Sequence, residues 1–275
     1  MPLTETFTSL VDDPRKYLTL VYGVAGVGKT SWCAQIPNHY FLMAEYGVQG
    51  VSVRGDPVPT WTSFQAKCSE LRNARGANWT RGDGTKITPI EVVIIDTYDK
   101  LFENTGIHVC ANERFMEQGK AEKYDKIDDV PWGKGYARVS DLLLHEIEAL
   151  MLSGFGVVVV SHLRARQAEY MGRKNMEFYG PNLSPRAAER LVDACGAVGY
   201  FYIDEKVEFD KEVGAITKVE QGRFARWQAT LQLQAKHRMD FFPETLPLRK
   251  LEGWQDYCEA FKTAYERAKK ERGIV

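Results

Sequence analysis

The sequence predicts an α/β fold with a mostly parallel central sheet flanked by helices, and three observations predict it. Four short runs, Tyr17 to Tyr22 (YLTLVY), Tyr40 to Ala44 (YFLMA), Glu91 to Ile95 (EVVII) and Val157 to Ser161 (VVVVS), are almost continuously apolar rather than alternating. Strands covered on both faces read that way. Between them, apolar residues recur at spacings of three and four over Thr60 to Ala74, around Leu101 to Gln118, and over Tyr136 to Leu152, which is the helical period. The first run ends in glycine and opens into a segment that can start a helix at Lys29 and must stop near Pro37. Strands and helices in alternation are the signature of a parallel sheet with helical layers.

The remaining elements follow the same logic. Gly76 to Pro89 is polar and glycine-rich and reads as a loop. A helix is expected from Pro185 toward Cys195, then strands with a hairpin near Asp210 to Gly214, then a strand over the alternating stretch Trp227 to Lys236. The tail from Trp254 places Trp254, Tyr257, Cys258, Phe261 and Tyr265 on one helical face, expected to pack on the core. At 275 residues and 44% hydrophobic, one compact domain is the expectation. It divides into an N-terminal segment (1–16), a core (17–250) and a C-terminal amphipathic helix (251–275).

Charge and cysteine usage narrow the function classes. The net charge of −1 provides no global basic field, so nucleic acid could be held only by a local patch. Five scattered cysteines, an odd number without zinc-ligand spacing, argue against a disulfide framework and a cysteine metal site. The first residues lack a basic-then-apolar signal pattern, and no apolar run approaches the roughly 20 residues of a membrane helix. A soluble, cytoplasmic protein with no membrane partner is the expectation.

The chemistry is concentrated in a few places. Gly23, Val24, Ala25, Gly26, Val27, Gly28, Lys29 and Thr30, followed by Ser31, match G-x-x-x-x-G-K-[ST] and lie between a strand and a helix, as that loop must. Glycines let backbone N–H groups point inward at phosphates, Lys29 reaches the β- and γ-phosphates, and Thr30 can hold Mg²⁺. The expected ligands are therefore ATP and Mg²⁺. Asp96 ends the run VVIID and is the metal-side carboxylate, Thr30 and Asp96 together making the metal site; an ordinary strand-ending aspartate is the alternative. Thr97 stands where many ATP-hydrolysing proteins carry a glutamate, so the base must come from elsewhere. Glu45, at the end of the neighbouring run YFLMA, is the candidate, since adjacent parallel strands deliver their C-terminal ends to one crevice.

GVAGVGKT, FLMAEYG, VVIIDTYDKL and VVVVSHLRAR, in that order, resemble the RecA-type P-loop NTPase core. Within it the chain is most similar to phage single-strand-annealing, RecA-like core proteins of the fourth Sak family, over roughly residues 17 to 248. The resemblance implies that Glu45 activates water and that His162, at the end of the strand after Asp96, senses the γ-phosphate. It also implies that Lys236 and Arg238, in KHR, reach into the site of a neighbouring subunit, as an arginine finger does. A solvated basic strand end is the alternative for that pair. The loop from His162 to Arg186 would hold single-stranded DNA. Arg164, Arg166, Arg173 and Lys174 alternate there with Tyr170, Phe178 and Tyr179, cations for phosphates and π-faces for bases. A second DNA-facing loop would be Gly119 to Gly135, with Trp132 and Lys134, although Trp132 can also simply pack. Phe7 to Leu10 resembles a short subunit-contact segment.

These readings imply an ATPase that binds single-stranded DNA as a homo-oligomer, ring or filament, and promotes annealing or strand pairing. A single-strand-binding protein is a possible partner, in a bacterial host cell if the gene is a phage's. A separate C-terminal DNA-gathering domain has no room, which favours annealing over autonomous strand invasion. The alternatives are a helicase-like or loader ATPase of replication and a P-loop small-molecule kinase.

Overall fold

The computed structural model describes residues 10–45, 50–75, 79–80, 86–117, 119–170, 173–210 and 215–273. The four apolar runs form strands β1 (Thr19–Gly23), β2 (His39–Met43) and, further along the chain, Val92–Asp96 and the start of Gly156–Tyr170. Helix α1 (Lys29–Cys33) follows β1, and the chain leaves it before Pro37, which cannot extend a helix. After β2 come β3 (Gly55–Pro57) and α2 (Trp61–Asn73), which begins in a capping box where Thr60 and Ser63 satisfy each other's backbone N–H.

Two short strands, β4 (Trp79–Thr80) and β5 (Lys86–Ile87), pair within the segment expected to be a loop. Strand β6 (Val92–Asp96) leads to α3 (Tyr98–Asn112). That helix stops short of the expected Gln118. Glu113 is extended, and β7 (Phe115–Glu117) pairs with β8 (Lys120–Glu122) around Gly119, whose φ of +82° suits a tight turn. Helix α4 (Lys134–Leu152) then returns to β9 (Gly156–Tyr170).

Two further differences from expectation concern the second half. The His162 to Arg186 segment is not a loop. Strand β9 continues past Ser161 to Tyr170 and pairs antiparallel with β10 (Arg173–Pro181), so the basic residues lie on a protruding β-hairpin. Helix α5 (Pro185–Ala194) and β11 (Ala197–Asp210) follow, and β11 forms a hairpin with β12 (Ala215–Arg226). The stretch Trp227 to Lys236 is not a strand until its last residue. The outer edge of β12 is already occupied by β14 (Thr245–Pro247), so this stretch has no ladder beside it to join. It crosses to Tyr179 of β10, whose N–H donates to the Gln232 carbonyl at 2.7 Å, and regains the sheet only as β13 (Lys236–His237). Helix α6 (Gly253–Glu271) closes the described chain.

The main sheet runs β14-β12-β11-β1-β9-β6-β2-β3, and the six strands from β11 to β3 are parallel. Its side chains alternate between two cores, as the period of two requires. Leu20, Tyr22, Val93, Ile95, Val157 and Val159 face α2, α3, α4 and α5, whereas Val21, Val92, Ile94, Val158 and Val160 face α1 and α6. On the second face Trp254, Tyr257 and Phe261 of α6 are buried against Trp32 and Trp227, and Cys258 and Tyr265 pack at the margin. Among the described residues no helix is long and apolar enough to cross a membrane.

Candidate functional site

Parallel strands deliver their C-terminal ends to one edge, and β9 lies between β1 and β6, leaving a crevice above it. The register places Gly23 opposite His162 on β9 and opposite Phe201 on β11, and places Asp96 opposite Met43, two residues before Glu45. The result is a cleft of about 320 Å³ lined by the glycine loop together with Lys29, Thr30, Ser31, Glu45, Asp96, Thr97, His162 and Arg223. Gly23, Val24, Ala25, Gly26, Val27 and Gly28 form the loop itself. Gly23 has to be glycine, since a Cβ there would lie 2.2 Å from the Phe201 carbonyl oxygen, and Gly28 has φ of +107°.

The polar groups of this cleft are held under tension between burial and charge. The Lys29 ammonium is buried and donates to the carbonyls of Gly23 and Val24 at 2.8 and 3.0 Å. Burial pulls its pKa below the ordinary lysine value, against the opposing charges of Asp96 and Asp99. Burial likewise pushes the Asp96 carboxyl above the usual carboxylate range, offset by the Thr30 hydroxyl, which donates to Asp96 Oδ2 at 2.8 Å. The Thr97 hydroxyl is buried in the same wall with no hydrogen-bond partner. Desolvated opposite charges beside an orphaned hydroxyl are what a cation-bearing anion can satisfy. Thr30 Oγ1 and the Asp96 carboxylate are hard oxygen donors, which fit Mg²⁺, and Lys29 with the loop N–H groups fit the phosphates of a nucleotide.

Across the cleft, His162 Nδ1 lies 2.9 Å from Asp99 Oδ2, and His162 Nε2 faces Glu45 Oε1 at 4.0 Å. The structure thus brings together Lys29, Thr30, Ser31, Glu45, Asp96 and His162. It adds Arg223, whose guanidinium comes within 3.7 Å of where a Gly28 Cβ would stand. No sequence signal marks Arg223, because a cation in the middle of an antiparallel strand resembles any surface arginine until the hairpin folds it over the loop. Asp99 had a signal, lying three residues after Asp96 in the first turn of α3.

Lys236 and Arg238 lie elsewhere. His237 pairs with Ala197, the residue level with Thr19, whereas the glycine loop begins beside Phe201. The four intervening rungs put the pair roughly 13 Å from the cleft, at the opposite edge of the sheet. There Lys236 Nζ donates to the carbonyls of Val192 and Asp193 at 2.6 and 3.1 Å, and Arg238 Nη2 donates to Asp193 at 3.1 Å. The pair caps the C-terminus of α5, with Lys236 half-buried and Arg238 exposed.

Arg164 and Arg166 leave the cleft edge on β9, two and four residues beyond His162. Arg164 Nη1 donates to the Leu183 carbonyl at 3.1 Å, and Arg166 pairs in register with Phe178. Tyr170 and Arg173 pair through their backbones at the far end of the hairpin, and Lys174 follows on β10; the side chains of these three lie outside the described residues. Trp132, in the 3₁₀ turn Pro131–Gly133 just before α4, is 85% exposed with φ of +60° rather than packed. Of the segment Phe7 to Leu10, all but Leu10 lies outside the described residues.

A family model described as an AAA domain matches residues 15–239. No curated protein matches the chain. Among solved structures it is similar to the crystal structure of the RadB recombinase, with 13% identity, a TM-score of 0.41, and coverage of 86% of this chain and 89% of that one.

Proposed function

The chain belongs to the AAA-domain family and is a P-loop ATPase, and from that premise we propose that it hydrolyses ATP while bound to single-stranded DNA and acts as a homo-oligomer in annealing or strand pairing. The observation that carries this reading is the continuity of β9, which passes from His162 in the nucleotide cleft straight into Arg164 and Arg166 on an exposed hairpin. DNA on the hairpin and nucleotide in the cleft would then touch the same strand. The resemblance to single-strand-annealing proteins of the fourth Sak family supports annealing, with a phage origin and a single-strand-binding protein as partner.

In this reading Lys29, the loop N–H groups and Ser31 hold the phosphates, and Thr30 and Asp96 hold Mg²⁺, which neutralises phosphate charge when bound. Glu45 is the base for water. Arg223 is a cation supplied by the same chain. Lys236 and Arg238, at the opposite edge, could act only on the nucleotide of a neighbouring copy, and the hairpin cations Arg164, Arg166, Arg173 and Lys174, with Tyr170, supply phosphate contacts and a stacking face.

The test is the ATPase rate across a protein-concentration series, with and without single-stranded DNA, at two salt concentrations. The rate should rise with both DNA and protein, and the DNA affinity should fall steeply with salt. A rate indifferent to single strands would overturn the DNA reading, phosphate transfer to a metabolite would point to a kinase, and unwinding of a forked duplex to a helicase.

A further inference from the structure

Asp99, near the start of α3, is buried, and its two carboxylate oxygens grip one residue twice. Oδ1 accepts the backbone N–H of His162 at 3.2 Å, and Oδ2 lies 2.9 Å from His162 Nδ1. Asn182, just beyond β10, donates its side-chain amide to the same Oδ2 at 3.4 Å, so the carboxylate is held from a third side. A carboxylate only accepts hydrogen bonds, so the imidazole carries its proton on Nδ1, and in the neutral ring Nε2 is left as a bare acceptor.

That bare nitrogen faces Glu45 Oε1 at 4.0 Å, too far for a direct hydrogen bond. Two acceptors of a single water, each about 2.8 Å from its oxygen, stand about 4.4 Å apart when the H–O–H angle sets the geometry. The observed separation is close to that. A γ-phosphate oxygen has no proton to give to a bare Nε2, whereas a water has two to give, one to each acceptor.

We propose that Asp99 is a positioning residue that fixes His162 as the second acceptor, beside Glu45, for the water that attacks the γ-phosphorus, in place of a phosphate-sensing role for His162. The proposal rests on the reading of this cleft as a site of ATP hydrolysis. In the step, the water oxygen forms a bond to the γ-phosphorus as the bond from that phosphorus to the bridging oxygen of ADP breaks, and ADP leaves with the electron pair. One water proton passes to Glu45 Oε1. The other stays on the phosphate formed, hydrogen-bonded to His162 Nε2.

Asp99→Asn tests it, because the amide keeps an oxygen for the His162 backbone N–H and turns an NH₂ toward Nδ1, which reverses the tautomer. The readouts are imidazole ¹⁵N shifts of His162 at pH 8 in ¹⁵N-histidine-labelled protein, assigned with His162→Gln, and steady-state kcat and KM for ATP. The unsubstituted protein should show a protonated Nδ1 and a bare Nε2. Asp99→Asn should show the reverse, with kcat reduced at least about tenfold and KM held within about twofold, as expected when orientation and not binding is lost. A protonated Nε2 in the unsubstituted protein overturns the proposal, and so does a reversed tautomer with unchanged kcat. If Asp99→Asn does not fold, a protonated Nε2 in the unsubstituted protein still overturns the proposal, and His162→Gln takes over the kinetic arm, with unchanged kcat overturning it. Normal turnover by Glu45→Gln would instead bring down the hydrolysis scheme and leave the tautomer assignment to its own spectrum.

Discussion

The two edges of the parallel sheet are both rich in charge, and they treat it in opposite ways. At the edge where the parallel strands begin, the cations are partnered: Lys236 and Arg238 donate to carbonyls on the last turn of α5, Arg75 donates to the carbonyls of Ile90, Ser153 and Gly154, and Arg15 pairs with Asp13 and Glu91. At the edge where the strands end, Lys29 is buried against loop carbonyls at a cost to its charge, Asp96 is desolvated, and the Thr97 hydroxyl has no partner. Satisfied polar groups stabilise a fold, whereas buried unsatisfied ones persist where a ligand completes them. The contrast marks the edge where the strands end as the candidate binding edge, although Ser184 Oγ and Trp227 Nε1 are also buried without a partner.

The largest effect should come from removing the buried cation at the working edge. Lys29→Ala should abolish measurable nucleotide binding, read by isothermal titration with Mg²⁺ and ATP, and should not lower the melting temperature of the free protein, because a desolvated ammonium is removed. Retained affinity would break the comparison at its centre. Glu45→Gln comes next. It should bind ATP as before while kcat falls about 10²- to 10⁴-fold, the range general bases contribute; unaltered turnover in a single-turnover assay would move the base elsewhere.

How much of this edge the sequence revealed depends on whether a residue acts through its neighbours along the chain or across space. Gly23 to Thr30 and Asp96 are legible because strand, loop and carboxylate must follow one another in fixed order. Glu45 is legible because a parallel sheet brings strand ends together. Arg223 is not, because its place over Gly28 depends on how far the β11–β12 hairpin folds back. The same physics accounts for the basic hairpin. A polar segment punctuated by Gly and Pro reads as a loop, but backbone pairing between β9 and β10 satisfies its N–H and C=O groups and overrides composition. Trp227 to Lys236 fails the other way, with a strand-like alternation that meets β10 only at a single bridge between Leu233 and Tyr179.

His237 sharpens the comparison from the opposite edge. Its ring stacks on Phe242 at 3.8 Å, accepts the Met239 N–H at Nδ1, and so donates from Nε2 to the Tyr257 hydroxyl at 3.0 Å. Burial lowers its pKa from 6.5 to about 4. Because the folded value is depressed, the unfolded chain takes up the proton first, so this contribution is complete above pH 6.5 and disappears as the pH falls through 4. A depression of that size corresponds to about 3 kcal/mol. Denaturant unfolding at pH 7 and pH 4 should show the native protein losing about that much more stability than His237→Phe. Equal losses would mean that the ring is not held neutral.

A smaller effect is expected for Arg223→Ala. The guanidinium approaches the loop at Gly28 and also lines a neighbouring groove with Ser31 and Gln35. It should therefore strengthen binding of the phosphates more than it speeds chemistry. KM for ATP should rise about tenfold, or about 1.4 kcal/mol, with kcat within about threefold. A loss confined to kcat would place the guanidinium on the transferring phosphoryl group instead.

The smallest effect on an isolated molecule should come from Lys236→Ala with Arg238→Ala. Cations on the last turn of a helix typically contribute about 0.3–1 kcal/mol each, less when solvent-screened, and Lys236 is already depressed by burial and by Arg238. The double variant should lose about 1 kcal/mol in unfolding and should hydrolyse ATP at the native rate in dilute solution. At high protein concentration the two should part. If the pair serves the cleft of a neighbouring copy, the native specific activity rises as copies associate and that of the variant stays flat. A variant whose activity climbs in parallel with the native protein would confine Lys236 and Arg238 to capping α5, and the two edges would then divide cleanly into one that binds and one that only holds the fold.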